Sequence, residues 1–400
     1  MIPVAEARAR MLSALTPTAP QTVALEQAQG RVLAKPLPAR RTQPPADFSA
    51  MDGYAFRWAD TASGDVALSI VGESRAGHGF GRPLGHGEAV RIFTGAPLPE
   101  GADTVLIQED ARTGDGRLHF ESVPLHGANV RPQGLDFRTG DMLLPAGTRL
   151  APRHIALAAA ADHARLTVHR RPRVALITTG DELTAPGAPR GPHAIVDALS
   201  PALAAFIAMR GGRVVLRARI ADQAEALAAA VADLPACDLV LTVGGASVGD
   251  HDLVRPVLIA AGFRLDFWKI AMRPGKPLLF GDLHGTPLIG LPGNPVSALV
   301  TAHLFLGPVL AALSGVAAGA IGPHPYKGRL AAALPANGPR EAYLRATSRR
   351  GKDGIPLLET AGREDSSLLS SFAVADSLIV RPPHAPKAEA GTIVEALALD

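Results

Sequence analysis

A multidomain α/β chain, built around a three-layer α/β domain, is the fold that three features of the sequence predict. From Arg173 onward, continuous apolar runs of strand length alternate with helical stretches, the rhythm of a sheet covered on both faces. Residues 47–130 instead hold short β runs separated by Gly and Pro clusters. After about residue 322, strand-length segments return around a glycine-rich stretch, as in a small barrel. With 400 residues, 47% of them hydrophobic, the chain is too long for one ordinary core.

The elements follow in order. Residues 4–15 and 22–34 read as a pair of short helices, loosened at Gly30, and Pro36, Pro38, Pro44 and Pro45 then make an extended linker. β runs fall at 66–71, 89–94 and 104–107, and an Ala-rich helix at 153–164. If that later segment packs with the N-terminal helices, the β unit is an insertion. The expected division is 1–46 plus 131–170 as a mixed helical N-terminal domain, 47–130 as an inserted β domain, 171–320 as the α/β domain, and 321–400 as a C-terminal β-barrel domain. Within the α/β domain, strands are expected at 174–178, 214–220, 238–243, 264–270 and 287–291. Helices run from Ser200-Pro201 to Met209, over 223–232, and onward from Asn294.

Charge and composition exclude several classes. Forty Lys and Arg against 37 Asp and Glu give a formal +3, with no basic block or aromatic-plus-basic stripe, so no nucleic acid is expected as a partner. The single cysteine, Cys237, rules out an intrachain disulfide framework and fits a reducing, cytoplasmic compartment. The charged start has no signal-peptide core. Residues 296–321 lack Asp, Glu, Lys and Arg, but Gly307-Pro308 and His303 interrupt them, and Asn294-Pro295 supplies a cap and first-turn residue. A buried helix is expected there and no membrane span.

The chemistry concentrates in a few loops. Lys269-Ile-Ala-Met-Arg273-Pro-Gly-Lys276-Pro277 sets three cations beside each other, and Gly290-Leu-Pro-Gly293-Asn294-Pro-Val-Ser297 opens a helix. Fixed positive charge beside backbone N–H groups suits phosphate or another oxyanion. Carboxylates cluster at 178–182, 221–223 and 244–252, which suits a hard divalent ion next to that phosphate. In open parallel sheets ligands sit beyond the carboxyl ends of the strands, where these loops fall. Singly, each motif is more often an ordinary turn or cap. His251 and His303 lack a partner at zinc spacing.

Seven strings in order carry a resemblance across nearly the whole chain: Ser49-Ala-Met-Asp-Gly-Tyr-Ala55, Ile92-Phe-Thr-Gly-Ala-Pro-Leu-Pro-Glu-Gly-Ala-Asp103, Val130-Arg-Pro-Gln-Gly-Leu-Asp136, Thr179-Gly-Asp-Glu-Leu183, Gly244-Gly-Ala-Ser-Val-Gly249, Arg273-Pro-Gly-Lys-Pro277 and Gly290 to Ser297. With these, the chain closely resembles the molybdopterin molybdenumtransferase family, which includes the E domain of gephyrin. The resemblance implies an elongated four-domain subunit whose α/β domain binds molybdopterin, and a homodimer with the site shared between subunits. It implies adenylylated molybdopterin and molybdate as substrates, Mg²⁺ as cofactor, release of AMP, and other molybdenum cofactor biosynthesis proteins as partners.

Carried over residue by residue, it implies catalytic roles for Asp52, Asp136, Glu182, Asp222, Asp252, Lys269 and Lys276. Substrate contacts would come from Thr94, Thr179, Gly180, Gly244, Gly245, Ser247, Arg273, Pro274, Gly275, Pro277, Gly293, Asn294, Ser297, Arg345 and Ser366. The metal would draw on Asp181, Glu182, Asp222, Asp250 and Asp252, of which Mg²⁺ takes only one or two directly. Departures are an arginine at 273 where many relatives carry lysine, Glu364-Asp-Ser-Ser367 for Gln-Gly-Ser-His, and Asp197-Ala-Leu for Asp-Ser/Thr-Asn. The last leaves Asp197 without its usual polar neighbours. Adenylyl transfer to the pterin and a non-catalytic dimeric scaffold are the alternative functions.

Overall fold

The computed structural model describes residues 1–62, 67–245, 253–351, 353–362 and 365–399. Its centre is a six-stranded sheet with spatial order Arg213–Ile220, Arg173–Thr179, Leu239–Val243, Thr286–Leu291, Pro277–Leu283, Phe263–Lys269. Helices cover both faces. Val4–Ser13, Leu199–Met209 and the helix beginning at Pro295 pack on one face around Leu176, Leu241, Ile289 and Phe280. Ala224–Ala232 and Val254–Ala260 pack on the other around Ile177, Val240, Leu279 and Leu288. Side chains alternating through the sheet thus meet apolar cover on either side, as the continuous runs require.

The sheet is mixed rather than wholly parallel. Pro277–Leu283, which the sequence reading passed over, runs antiparallel between Phe263–Lys269 and Thr286–Leu291. Its links are too short for a crossover: residues 270–276 on one side and His284-Gly285 on the other, both in the left-handed region with φ 52° and 87°. Pro277 is tolerated because it opens the strand.

The expected helix at 22–34 is not formed. Pro20–Ala24 is a strand paired antiparallel with Arg165–His169, followed by a 3₁₀ turn at Leu25–Gln27. Val23, Leu33, Leu166 and Val168 share one core, so burial across a strand pair overrides a weak helical stripe. The helix expected at 153–164 is Pro152–Ala160. The inserted β unit is a six-stranded sheet with order Thr104–Ile107, Gly53–Phe56, Glu88–Ile92, Ala67–Ser74, Arg117–Phe120, Ala111–Gly114. Phe48–Ser49 and Val130–Arg131 pair where the chain enters and leaves it.

At the C-terminal end, Glu341–Arg349, Leu357–Thr360, Pro325–Leu330, Ile393–Ala398 and Ser377–Arg381 close into a five-stranded barrel, the last strand pairing back to the first. Met272–Arg273 adds to Glu341–Ala342 in parallel, joining barrel to α/β domain. Pro295–Leu313 is apolar and long enough to span a bilayer, but 83% of its most apolar 18-residue stretch is buried against the sheet and barrel, as a core helix.

Candidate active site

Strand register places the functional loops on one edge. Ile220, Thr179, Val243 and Leu291 end parallel strands side by side, and Lys269 ends another, opposite Pro277. The acidic loop after Thr179 and the cationic hairpin before Pro277 therefore flank the same sheet edge, three interstrand steps or about 14 Å apart. They do not close into a single pocket within the described residues.

The cationic end is clamped from two sides. Ile2 brackets the hairpin, its N–H donating to the Lys269 carbonyl at 3.2 Å and its carbonyl accepting from Ala271 at 2.8 Å, while Glu341 of the barrel donates to the Ala271 carbonyl at 2.9 Å. Ile270 N–H closes the hairpin onto the Lys276 carbonyl at 3.0 Å. Gly275 has φ 101°, and a Cβ there would lie 2.5 Å from Thr301 Cγ2, so only glycine passes beneath the helix. Arg273, Pro274, Gly275, Lys276 and Pro277 form one wall of a cleft of about 280 Å³, and Ser297, Arg340, Tyr343, Arg345 and Ser366 stand around it.

Asn294 caps the following helix in extended conformation with Pro295 at its first position. Its Nδ2 donates to Ser366 Oγ at 3.2 Å, and the Ser366 carbonyl accepts the Val296 N–H at 3.0 Å. A barrel segment thus satisfies a donor that the helix start would otherwise leave open. Arg345 is buried, and its Nη1 donates to the Asp365 and Leu368 carbonyls and to Ser371 Oγ at 3.1, 3.3 and 2.7 Å. It therefore shapes the wall by holding residues 365–371. In the altered motif, the Ser367 hydroxyl and N–H both donate to Asp365, holding that carboxyl below its usual range.

The acidic end is tight. Asp181 Oδ1 accepts the Asp222 N–H at 2.9 Å. Burial, and then the charges of Asp181 and Glu182, push the Asp222 carboxyl above its ordinary value. Gly244 sits so close to Thr179 that a Cβ would lie 2.7 Å from its carbonyl oxygen, and one on Gly245 would meet Val254 Cγ2 at 2.1 Å. Gly293 faces Gly244, its Cβ position 3.5 Å from the Gly244 Cα. Gly180, at φ 149°, turns the chain toward Glu182. Ser247, Asp250 and Asp252 lie outside the described residues. Among the described residues, no three His, Cys, Asp or Glu side chains converge enough to hold a metal ion.

Asp52 and Thr94 meet in the β insertion, where Thr94 N–H and Oγ1 donate to Asp52 Oδ1 at 2.7 and 2.8 Å and hold that carboxyl low. Asp136 is exposed in the return segment, its N–H on the Gln43 carbonyl at 3.0 Å. Among the described residues, no hydrogen bond or ion pair joins these three to the α/β edge of their own chain. Asp197 has found another neighbour: buried, it accepts the Ser200 N–H at 2.9 Å and the Ser200 hydroxyl, fixing the start of Leu199–Met209. Sequence reasoning missed Arg340 and Tyr343, which no motif marks. Burial and the hydrogen bond to Glu341 push the Tyr343 phenol far above its usual value, so it stays neutral. A larger cavity of about 440 Å³ lies elsewhere, lined by Arg149, Arg210, His303 and His324, and none of the residues expected from the sequence to be functional reaches it.

An α/β edge with an oxyanion cleft at one end, acids at the other, an inserted β unit and a terminal barrel define a molybdenum cofactor biosynthesis protein of the MoeA type. Successive family profiles match: the MoeA N-terminal region (domain I and II) over residues 2–161, the probable molybdopterin binding domain over 175–312, and the MoeA C-terminal region (domain IV) over 327–399. The molybdopterin molybdenumtransferase of Nostoc sp. is 38% identical over 371 residues, covering 90% of this chain and 85% of that protein. That of Haemophilus influenzae is 34% identical and covers 98% of both. Two crystal structures of the molybdopterin biosynthesis MoeA protein of Pyrococcus horikoshii superpose with TM-scores of 0.82 and 0.84, at 30% and 25% identity, each covering 100% of this chain and 99% and 100% of the other. The chain belongs to the molybdopterin molybdenumtransferase family.

Proposed function

We propose that the chain inserts molybdenum from molybdate into adenylylated molybdopterin with Mg²⁺, releasing AMP. The observation that carries this reading is the shared sheet edge, with Arg273 and Lys276 in an anion-sized cleft at one end and Asp181, Glu182 and Asp222 at the other. Lys269, Arg273 and Lys276 offset charge on the diphosphate and on molybdate. The Arg273 guanidinium never deprotonates and can engage two oxygens at once. Ser297 and Ser366 supply hydroxyls at the cleft rim. Thr179 and the glycines at 180, 244, 245 and 293 let the nucleotide lie against backbone. The molybdenum ligands in the product are the pterin's own sulfurs, so the protein needs no thiolate.

Mg²⁺ needs only one or two direct carboxylates, and Asp181, whose Oδ1 accepts the Asp222 N–H at 2.9 Å, stands beside Asp222, whose carboxyl is raised by burial and then by the charges of Asp181 and Glu182. Asp181, Glu182 and Asp222, with Asp250 and Asp252, would hold the ion and its waters. When bound, it supplies positive charge to the oxygens of the anhydride being split. Among the described residues no hydrogen bond or ion pair ties Asp52, Thr94 or Asp136 to the α/β edge of their own chain, which supports a homodimer in which a second copy completes each site. A cytoplasmic setting, and hand-over to other molybdenum cofactor biosynthesis proteins, belong to the same reading.

The test is turnover. Purified protein with adenylylated molybdopterin, Mg²⁺ and molybdate should release AMP without ATP. Folded protein that releases none, or that consumes ATP to adenylylate the pterin, would overturn the assignment.

A further inference from the structure

The end of the Phe263–Lys269 strand sets Lys269 of the cationic hairpin beside two residues that no motif marks, Trp268 and Arg255. Phe267 points into the core under the Pro295 helix, while Trp268 meets Arg255 of Val254–Ala260 on the other side of the sheet. There the Arg255 guanidinium lies 3.7 Å from the Trp268 ring centroid, and Lys269 Nζ lies 4.1 Å from the same ring. Two cations share one half-buried indole. Neither has a carboxylate partner among the described residues. Like charges gathered on one support can receive an anion: the ring's negative face holds the side chains in place and leaves their N–H donors for a ligand.

Position gives the ligand its class. Arg255 is the second residue of a helix that starts at the carboxyl edge, where Val254 and Thr179 both pack against Gly245. Lys269 ends its strand at that same edge. The pair therefore stands on the opposite face of the sheet from the Arg273–Lys276 cleft. We propose that Arg255, Trp268 and Lys269 form a second arm of the anion site, which grips the diphosphate of the nucleotide substrate while the cleft on the barrel side takes molybdate. Arg255 is thereby a substrate-binding residue and Trp268 the residue that positions it. The inference rests on the proposed molybdenum insertion for the identity of the diphosphate, but its geometry stands alone.

The chain has two tryptophans, so Trp58→Phe leaves Trp268 as the single fluorescent indole. Trp58 lies in the β insertion with its Nε1 on the Pro124 carbonyl at 2.9 Å, away from this edge. In that background, pyrophosphate should change Trp268 emission saturably as the anion neutralises the cations held on the ring. Arg255→Met, which keeps the aliphatic stem, should weaken pyrophosphate binding about tenfold, the scale of one charge-assisted contact. Arg255→Lys should recover part of the loss, and the molybdate affinity of Arg255→Met should match the parent. Equal pyrophosphate affinity in parent and Arg255→Met, or an emission unchanged at saturating pyrophosphate, would overturn the arm. Turnover separates the two readings. AMP release with an unchanged KM for adenylylated molybdopterin in Arg255→Met rejects the arm and leaves molybdenum insertion standing. Arg255-dependent pyrophosphate binding in a protein that releases no AMP does the reverse.

Discussion

Asn294 Nδ2 and Ser366 Oγ meet at 3.2 Å, so the cap of the α/β domain's longest helix is held by a barrel segment that also walls the oxyanion cleft. The contact is exposed, and its loss should cost at most about 1 kcal/mol of stability. Its effect on function should be larger. Ser366→Ala is expected to raise the KM for molybdate several-fold with little change in Tm, and Asn294→Ala to do the same. Because both act on one wall, the double variant should be no worse than the poorer single one, which steady-state kinetics on the four proteins would check.

Gly275 gives a sharper test of the cationic hairpin. Alanine there must adopt φ near 101° and displace Thr301 Cγ2 from 2.5 Å. Backbone strain of about 1–3 kcal/mol is expected, with a further cost for moving the helix. Gly275→Ala should lower Tm and reduce turnover at least tenfold as Lys276 and Arg273 lose register. Gly285→Ala, with open space at its Cβ, should lower Tm through backbone strain alone and leave kcat unchanged.

Asp238 ties the start of its sheet strand to the chain entering the α/β domain. Burial works against its ionisation, but Arg170 donates to both oxygens at 2.8 and 2.7 Å and Arg173 N–H at 2.7 Å, and the carboxyl is held below its usual value. A depressed carboxyl stabilises the fold fully above its unfolded pKa, and that contribution disappears as pH falls through the lower, folded one. At neutral pH, Asp238→Asn should therefore cost about 1–3 kcal/mol. Thermal melts of parent and variant should converge only below the ordinary value of 3.8.

The acidic end has the opposite sign. Asp222 is destabilised in its charged form by burial and by Asp181 and Glu182, a penalty present above its folded pKa and relieved as pH falls through it. A divalent cation should relieve it too. The side chain is exposed enough for water to screen much of the effect. Saturating Mg²⁺ at neutral pH should raise Tm by about 1–2 °C in the parent, and Asp222→Asn should gain stability without Mg²⁺ and lose that response. A Tm in Asp222→Asn that still rises equally with Mg²⁺ would place the ion elsewhere.

What could be read from the sequence had a period or a motif behind it. The apolar runs at Val174 and Leu239 mark buried strands because they are continuous, and the loops after them fall on one edge because parallel strands end together. Pro277–Leu283 was missed because Pro277, Gly281 and Asp282 read as punctuation, and its strand character comes from pairing on both sides. The 22–34 segment failed similarly: its partner, Arg165–His169, lies far along the chain. The sequence offers Arg345 as a candidate cation but hides its place as the anchor of residues 365–371, since two of its acceptors are main-chain carbonyls that carry no side-chain signature. The Arg255–Trp268 stack was invisible because it joins a helix to a strand of ordinary composition.

Asp52 and Lys276 decide whether the site is shared. Asp52 lies in the β insertion, bonded to Thr94, and Lys276 in the cleft beneath the barrel, with no polar contact joining them among the described residues. Alanine at either should reduce turnover at least a hundredfold, as loss of a charged group acting on the reacting anion does, while Tm moves by no more than a degree or two because both are only half-buried and neither is part of the core. If each site takes Asp52 from one subunit and Lys276 from the other, Asp52→Ala and Lys276→Ala complement each other. A dimer with one copy of each variant has one site with both residues intact and one with neither. Random exchange makes half the dimers mixed, so an equal mixture of the two inactive proteins should recover about a quarter of parental activity. Sites contained within one subunit would leave the mixture as inactive as its components, and measuring AMP release after unfolding and refolding the two together distinguishes the cases.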